Sequence, residues 1–137
     1  MKVYMDTSVA LRVLFGEPRP LPDWGHWTAA YTSRIWHTEA LRTVDRARLM
    51  AAIDDSQVVT LRREIELIHS ALHVIPLSER ILARAGDAFP TVVGTLDAIH
   101  LSTAIDVRDA KGLDVFLTHD AQLAAAAAAS GFAVDGV

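Results

Sequence analysis

Short apolar runs alternate with longer amphipathic stretches along the chain. The first run, Val3-Tyr4-Met5, has no polar residue inside it, the pattern of a strand covered on both faces of a parallel sheet. It stops at Asp6, and apolar residues then recur at helical spacing through Val9, Ala10, Val13 and Leu14. The stretch from Gly16 to Gly25, with Pro18, Pro20 and Pro22 inside it, ends that helix and forms a loop. A strand over Thr28–Thr32 is predicted next, then a helix from Ser33 through Ile35, Trp36, Ala40, Leu41 and Val44. Leu49 to His73 is helical in pattern, with Leu61, Ile65, Ile68 and Leu72 at helix spacing. A break near Asp54-Asp55-Ser56 divides it from the preceding helix as an antiparallel pair.

The second half repeats the alternation. Val74–Leu77 reads as a short strand, and Ser78 with Glu79 behind it starts a helix that Phe89-Pro90-Thr91 closes. Thr95–Val107 is the next helix, Leu113–Leu117 the clearest strand, and Ala121–Ala129 an alanine-rich helix stopped by Ser130-Gly131. Phe132–Val134 reads as an edge strand. Strands alternating with helices predict an α/β fold, a parallel sheet with helices on both faces, in one domain over residues 1–137.

Composition narrows the function classes. The 137 residues are 51% hydrophobic and 22% charged, ordinary for a globular chain with a core of its own. There is no cysteine, which excludes disulfides and thiolate metal sites and fits a reducing cytoplasm. No apolar leader follows Lys2, and the longest apolar run, around Ala124–Ala129, is too short for a membrane span, so a soluble protein is expected. The net charge of −4 is not that of a general nucleic-acid binder. All but two (Lys2 and Lys111) of the 13 basic residues are arginine, however, the better phosphate fork. Arg34, Arg42, Arg46 and Arg48 make the Thr28–Arg48 region the candidate phosphate-facing surface, against the alternative of a solvated arginine-rich surface.

Four acids stand out, each with an ordinary structural alternative. Asp6 and Asp120 follow apolar strands at their C-terminal ends, where either could cap the next helix. Asp97 lies in a helix first turn, which favours carboxylates. Glu39 lies within a helix, with Arg42 three residues on as a possible partner. In an open α/β sheet all four positions open onto the edge where ligands bind. Four carboxylates there repel one another unless a cation compensates. Oxygen donors without cysteine or a histidine pair point to Mg²⁺ or Mn²⁺ rather than zinc, and to phosphoryl chemistry.

The stretches Tyr4-Met5-Asp6-Thr7-Ser8-Val9-Ala10-Leu11, His37-Thr38-Glu39-Ala40-Leu41-Arg42, Thr95-Leu96-Asp97-Ala98-Ile99-His100-Leu101-Ser102-Thr103-Ala104 and Phe116-Leu117-Thr118-His119-Asp120-Ala121-Gln122-Leu123 resemble, in this order, the motifs of PIN domains. The resemblance runs essentially end to end and is closer to the VapC-type toxin ribonucleases of bacterial toxin–antitoxin modules. It implies a three-layer α/β/α domain with a mostly parallel sheet of four to five strands, and a Mg²⁺- or Mn²⁺-dependent endoribonuclease leaving a 5′-phosphate and a 3′-hydroxyl. By resemblance, Asp6 and Asp97 hold the metal directly, Glu39 holds it or orients the attacking water, and Asp120 completes the site. Ser8 and Thr118 are supporting hydroxyls, and Arg42 pairs with Glu39 or meets the phosphate. The resemblance also implies an RNA substrate in a tRNA, rRNA or mRNA, a small VapB-type antitoxin partner and a homodimer. The surface for such partners is expected to include the helical pair between Leu49 and His73.

Other readings of the same residues are a non-toxin PIN nuclease, a haloacid-dehalogenase-type phosphatase, a flavodoxin-like receiver and an inactive binding module. The phosphatase needs a second aspartate two positions after the first, where Ser8 stands, and the receiver groups two acids after its first strand. His100, one turn after Asp97, is expected to pack or hydrogen-bond rather than catalyse, and His119 to point away from Asp120, where it could at most contact substrate. Among the tryptophans, Trp36 is expected in the core, whereas Trp24 and Trp27 flank a loop and could stack a base or anchor a partner.

Overall fold

The computed structural model describes residues 1–137. Its strands are β1 (Lys2–Met5), β2 (Ala29–Ser33), β3 (His73–Ile75), β4 (Val115–Leu117) and β5 (Val134–Asp135). Its helices are α1 (Thr7–Leu14), α2 (Ile35–Leu49), α3 (Asp55–Ala71), α4 (Glu79–Ala85), α5 (Thr95–Lys111) and α6 (Ala121–Ala129). The sheet order is β3-β2-β1-β4-β5, and every neighbouring pair is parallel.

Alternate residues of the central strands enter two cores, which is why their sequences are apolar without interruption. Tyr4, Tyr31 and Phe116, in register across β1, β2 and β4, face α5 and α6 and pack on Leu101, Ala104, Val107, Leu123 and Ala126. Val3, Met5, Ala30 and Leu117 take the opposite face beside Val9 and Leu21. Outside that layer, Ala10, Leu14, Trp36, Ala40, Val44, Leu61 and Ile65 join α1, α2 and α3. The result is the three-layer α/β/α arrangement that the alternation implied, with Trp36 in the core at 1% exposure.

Local chemistry fixes the helix ends. Asp54 and Gln57 form a reciprocal capping box that starts α3, so the break in the helical pattern resolves at residue 54. Ser78 caps α4 through the N–H of Ile81 at 3.2 Å. Helix α5 runs to Lys111, four residues beyond the predicted end at Val107, and Gly112 at φ 79° releases the chain into β4. No helix is long and apolar enough to cross a membrane.

The chain winds outward from β1 to β2 and β3, then returns to β4 and β5 on the other side of β1. The direction of winding therefore reverses beside the C-terminal end of β1, where Asp6 follows Met5. In parallel α/β sheets that position opens a crevice at the strand ends.

Candidate active site

Asp6 leaves β1 with its backbone N–H still donating to Leu117 O on β4 at 3.1 Å. It occupies the N-cap position of α1, yet its side chain caps nothing. Its Oδ1 instead accepts the Ser8 hydroxyl at 2.6 Å. Asp6 is only 5% exposed. Burial pushes its pKa up to about 6, against the opposing pull of His100 and the hydroxyls of Ser8 and Thr118, with Asp97 adding repulsion.

Glu39 sits on the second turn of α2 and turns inward. Its Oε1 accepts the Thr7 hydroxyl at 2.7 Å and the His100 Nε2–H at 2.7 Å. Burial raises its pKa, but the hydrogen bond and charge of His100 and the hydroxyl of Thr7 outweigh that and hold Glu39 below the usual glutamate value. Because an ionised carboxylate only accepts, His100 donates its Nε2–H to Glu39, and its other ring nitrogen, Nδ1, shares a hydrogen bond with the Tyr4 hydroxyl at 2.8 Å. Asp97 stands in the first turn of α5, one helical turn from His100. Burial and then the neighbouring charge of Asp120 raise its pKa, His100 opposes, and Glu39 adds to the rise. Asp120 caps α6, its Oδ1 accepting Leu123 N–H at 2.9 Å, while its own N–H donates to Thr118 Oγ1 at 3.0 Å.

Hydrogen bonds tie Asp6, through Ser8, to the end of β4 beside Asp120, and Glu39, through His100, to the helix that carries Asp97, so the four acids lie toward the C-terminal edge of the sheet. Most other acids near a cation are paired: Glu17 with Arg12, Asp45 with Arg42 and Arg48, Asp106 with Arg80, and Asp109 with Arg108. Among the four, only Glu39 has a basic partner, His100, and no ion pair reaches Asp6, Asp97 or Asp120. The profile of the PIN domain family matches residues 3–129.

The chain belongs to the PIN domain family. Ribonuclease VapC47 of Mycobacterium tuberculosis (strain CDC 1551 / Oshkosh) is 27% identical over 130 residues, spanning 95% of this chain and 93% of that protein. Two solved structures share the fold. VapBC2 from Rickettsia felis, bound to a DNA fragment from their promoter, superposes at a TM-score of 0.68 with 13% identity over 98% of each chain. A toxin–antitoxin complex from Klebsiella pneumoniae superposes at 0.65 with 17% identity over 97% of this chain and 95% of the other.

In this PIN domain, Asp6, Glu39, Asp97, Asp120, Ser8 and Thr118 gather at one edge of the sheet. Arg42 does not join them: its Nη1 lies 3.1 Å from Asp45 Oδ2, its side chain is 69% exposed, and Glu39 faces the other way. Helical spacing allowed Arg42 either acid, three residues before or three after, and the inward turn of Glu39 left Asp45. The His119 ring turns toward the C-terminal strand, its Nδ1–H donating to Gly136 O at 2.6 Å. Tyr4 and Thr7 are the site residues that sequence reasoning missed. The only available signal was their place beside Asp6, since their partners lie 96 and 32 residues away. Next to Asp120, two adjoining clefts of about 240 and 500 Å³ share Arg12 and His119.

Proposed function

We propose that this PIN domain is a divalent-metal-dependent endoribonuclease, the toxin of a toxin–antitoxin pair, acting through Asp6, Glu39, Asp97 and Asp120. The observation that carries the reading is the meeting of these acids, three of them without any basic partner, at the point where the sheet reverses its winding. The relative named Ribonuclease VapC47 supports the activity, and the neighbour from a toxin–antitoxin complex supports a small antitoxin of the VapB type as partner.

The donor set suits Mg²⁺ or Mn²⁺: it is all carboxylate and hydroxyl oxygen, with Asp6 held at the sheet edge against the cost of burial. No three of the acids stand close enough to form a ready cage, which suits a hard ion that keeps its waters and takes one or two carboxylates directly. Asp6 and Asp97 are the direct ligands in this reading. Held by Asp6 and Asp97, such an ion would supply charge to offset the phosphate and would make a water easier to deprotonate.

The protein groups do the positioning. Ser8 holds Asp6 Oδ1, so that carboxylate keeps one orientation. Glu39, ionised and anchored through Oε1, keeps its other oxygen for orienting the attacking water. Asp120 has one oxygen committed to Leu123 N–H and the other for the outer side of the site. Arg34 and Arg46 on the exposed side of the α2 region pair with no acid and supply phosphate contacts. The exposed Leu49, Met50, Val59 and Leu67, around the α2–α3 pair, offer apolar surface to a second copy or an antitoxin.

The deciding experiment incubates wild type and Asp6→Asn, each free of partners, with total tRNA and rRNA in magnesium, manganese or EDTA. Discrete cuts that need metal and vanish in Asp6→Asn are expected. Intact RNA with folded wild type in both metals would overturn the reading.

A further inference from the structure

His100 is one of the most deeply buried polar side chains, 1% exposed, and both ring nitrogens are engaged. Nδ1 is hydrogen-bonded at 2.8 Å to the hydroxyl of Tyr4, itself fully buried on β1. Nε2–H donates to Glu39 Oε1 at 2.7 Å and lies 3.2 Å from Thr7 Oγ1, whose hydroxyl donates to the same oxygen at 2.7 Å. The Tyr4–His100 rings meet edge-on at 6.0 Å. Two elements thus meet α2 at a single atom of Glu39, α1 through Thr7 and α5 through His100, and β1 backs His100 through Tyr4.

That arrangement is asymmetric. Oε1 has two donors, whereas Oε2 has no protein partner and is not among the buried unpaired atoms, so it opens to solvent. A carboxylate free to rotate would exchange its oxygens. Two donors converging from fixed elements remove that freedom, and a ring locked by Tyr4 cannot swing away. His100 also shares α5 with Asp97, so the same contact ties the helix carrying one acid to the helix carrying another.

We propose that His100, braced by Tyr4, is a positioning residue for the ribonuclease reaction: it fixes Oε1 of Glu39 so that Oε2 alone is presented to the reacting water. The proposal rests on the ribonuclease reading and adds the residue that sets Glu39's orientation. His100 does not touch RNA, so its loss lowers turnover and leaves substrate binding intact.

The test measures kcat and KM for a defined RNA, thermal unfolding, and proton NMR of the imidazole N–H in wild type, Tyr4→Phe, His100→Gln and His100→Leu. Tyr4→Phe keeps the aromatic packing and removes only the brace. It is expected to lower kcat about fivefold with KM within about twofold. His100→Leu is expected to lower kcat about a hundredfold, and His100→Gln, which restores an N–H donor, to recover about tenfold of that. The protected Nε2–H resonance of wild type is expected to shift in Glu39→Gln. Folded His100→Leu or Tyr4→Phe with wild-type kcat, or a loss confined to KM, overturns the proposal while leaving the ribonuclease reading in place. An inactive wild type overturns the ribonuclease reading and the positioning role with it.

Discussion

Ser8 donates its hydroxyl hydrogen to Asp6 Oδ1 at 2.6 Å, and Ser8 Oγ in turn accepts the backbone N–H of His119 at 2.9 Å. One hydroxyl therefore joins the end of β1 to the end of β4 and orients the most buried acid of the site. Replacing it by alanine leaves a part-buried N–H without a partner, a cost of about 1–3 kcal/mol. Ser8→Ala is expected to lose that much stability in urea unfolding and roughly tenfold in kcat. Unchanged values for both would show that the hydroxyl is incidental.

Asp6 makes the metal-free protein less stable at neutral pH. Its folded pKa is raised from 3.8 to about 6, so its contribution favours folding below pH 3.8 and is lost as pH rises through about 6. At pH 7 the deficit is roughly 3 kcal/mol as an upper figure. Asp6→Asn, measured without metal, is expected to melt several degrees above wild type at pH 7, with the difference closing near pH 4. A lower melting temperature for Asp6→Asn at pH 7 contradicts this account.

Divalent metal should offset most of that deficit. A ligand that binds only the folded state at a hundredfold excess over Kd adds about 2.7 kcal/mol. Mg²⁺ or Mn²⁺ is expected to raise the melting temperature of wild type at pH 7 and leave Asp6→Asn unmoved, with EDTA restoring the apo value. Because protons compete for Asp6, the metal-induced rise should shrink below pH 6.

A second pH dependence lies between α2 and α3. Trp36 Nε1–H donates to His69 Nδ1 at 3.1 Å, His37 Nε2–H donates to Glu66 at 2.6 Å, and the two imidazole rings are 4.6 Å apart. His69 is held below its ordinary pKa of 6.5 by burial first, then by His37 and Arg34, with Glu66 opposing. Its neutral form contributes stability above pH 6.5 that is lost as pH falls. His69→Asn, which keeps an acceptor for Trp36, is expected to flatten the drop in melting temperature between pH 7 and 5. An unaltered drop places the sensitivity elsewhere.

Arg42 and Arg48 share Asp45, while Arg34 and Arg46 form no ion pair. Arg42→Ala is expected to change stability by less than about 0.5 kcal/mol and leave KM alone. Arg34→Ala with Arg46→Ala is expected to raise KM and to flatten its dependence on salt. Equal effects from all three would assign Arg42 a phosphate after all.

Much of this architecture was legible because the central strands are buried on both faces. Val3-Tyr4-Met5 and Val115-Phe116-Leu117 have no polar interruption, and the polar residues that end them mark the edge toward which the four acids lie. The edges were harder. Phe132 looked like strand, yet its ring enters the core against Phe116 at a centroid distance of 5.6 Å, and pairing begins only at Val134. The acids were readable as separate positions, but the partner of each was not. Whether Glu39 met Arg42 or His100 depended on how α2 rolls against α5, and no spacing within one helix encodes that.

The sheet order carries a consequence for the making of the protein. Asp6 and Asp120 belong to segments at opposite sides of the sequence, and they meet only because β4 pairs with β1 across more than a hundred intervening residues. A chain still emerging from the ribosome, through β1, α1 and the whole α2–α3 pair, displays carboxylates with nothing to converge on. Such long-range pairing forms late, since the entropy of closing the large loop must be overcome before any contact rewards it. Asp6 and Asp120 therefore cannot share one edge until β4 docks beside β1.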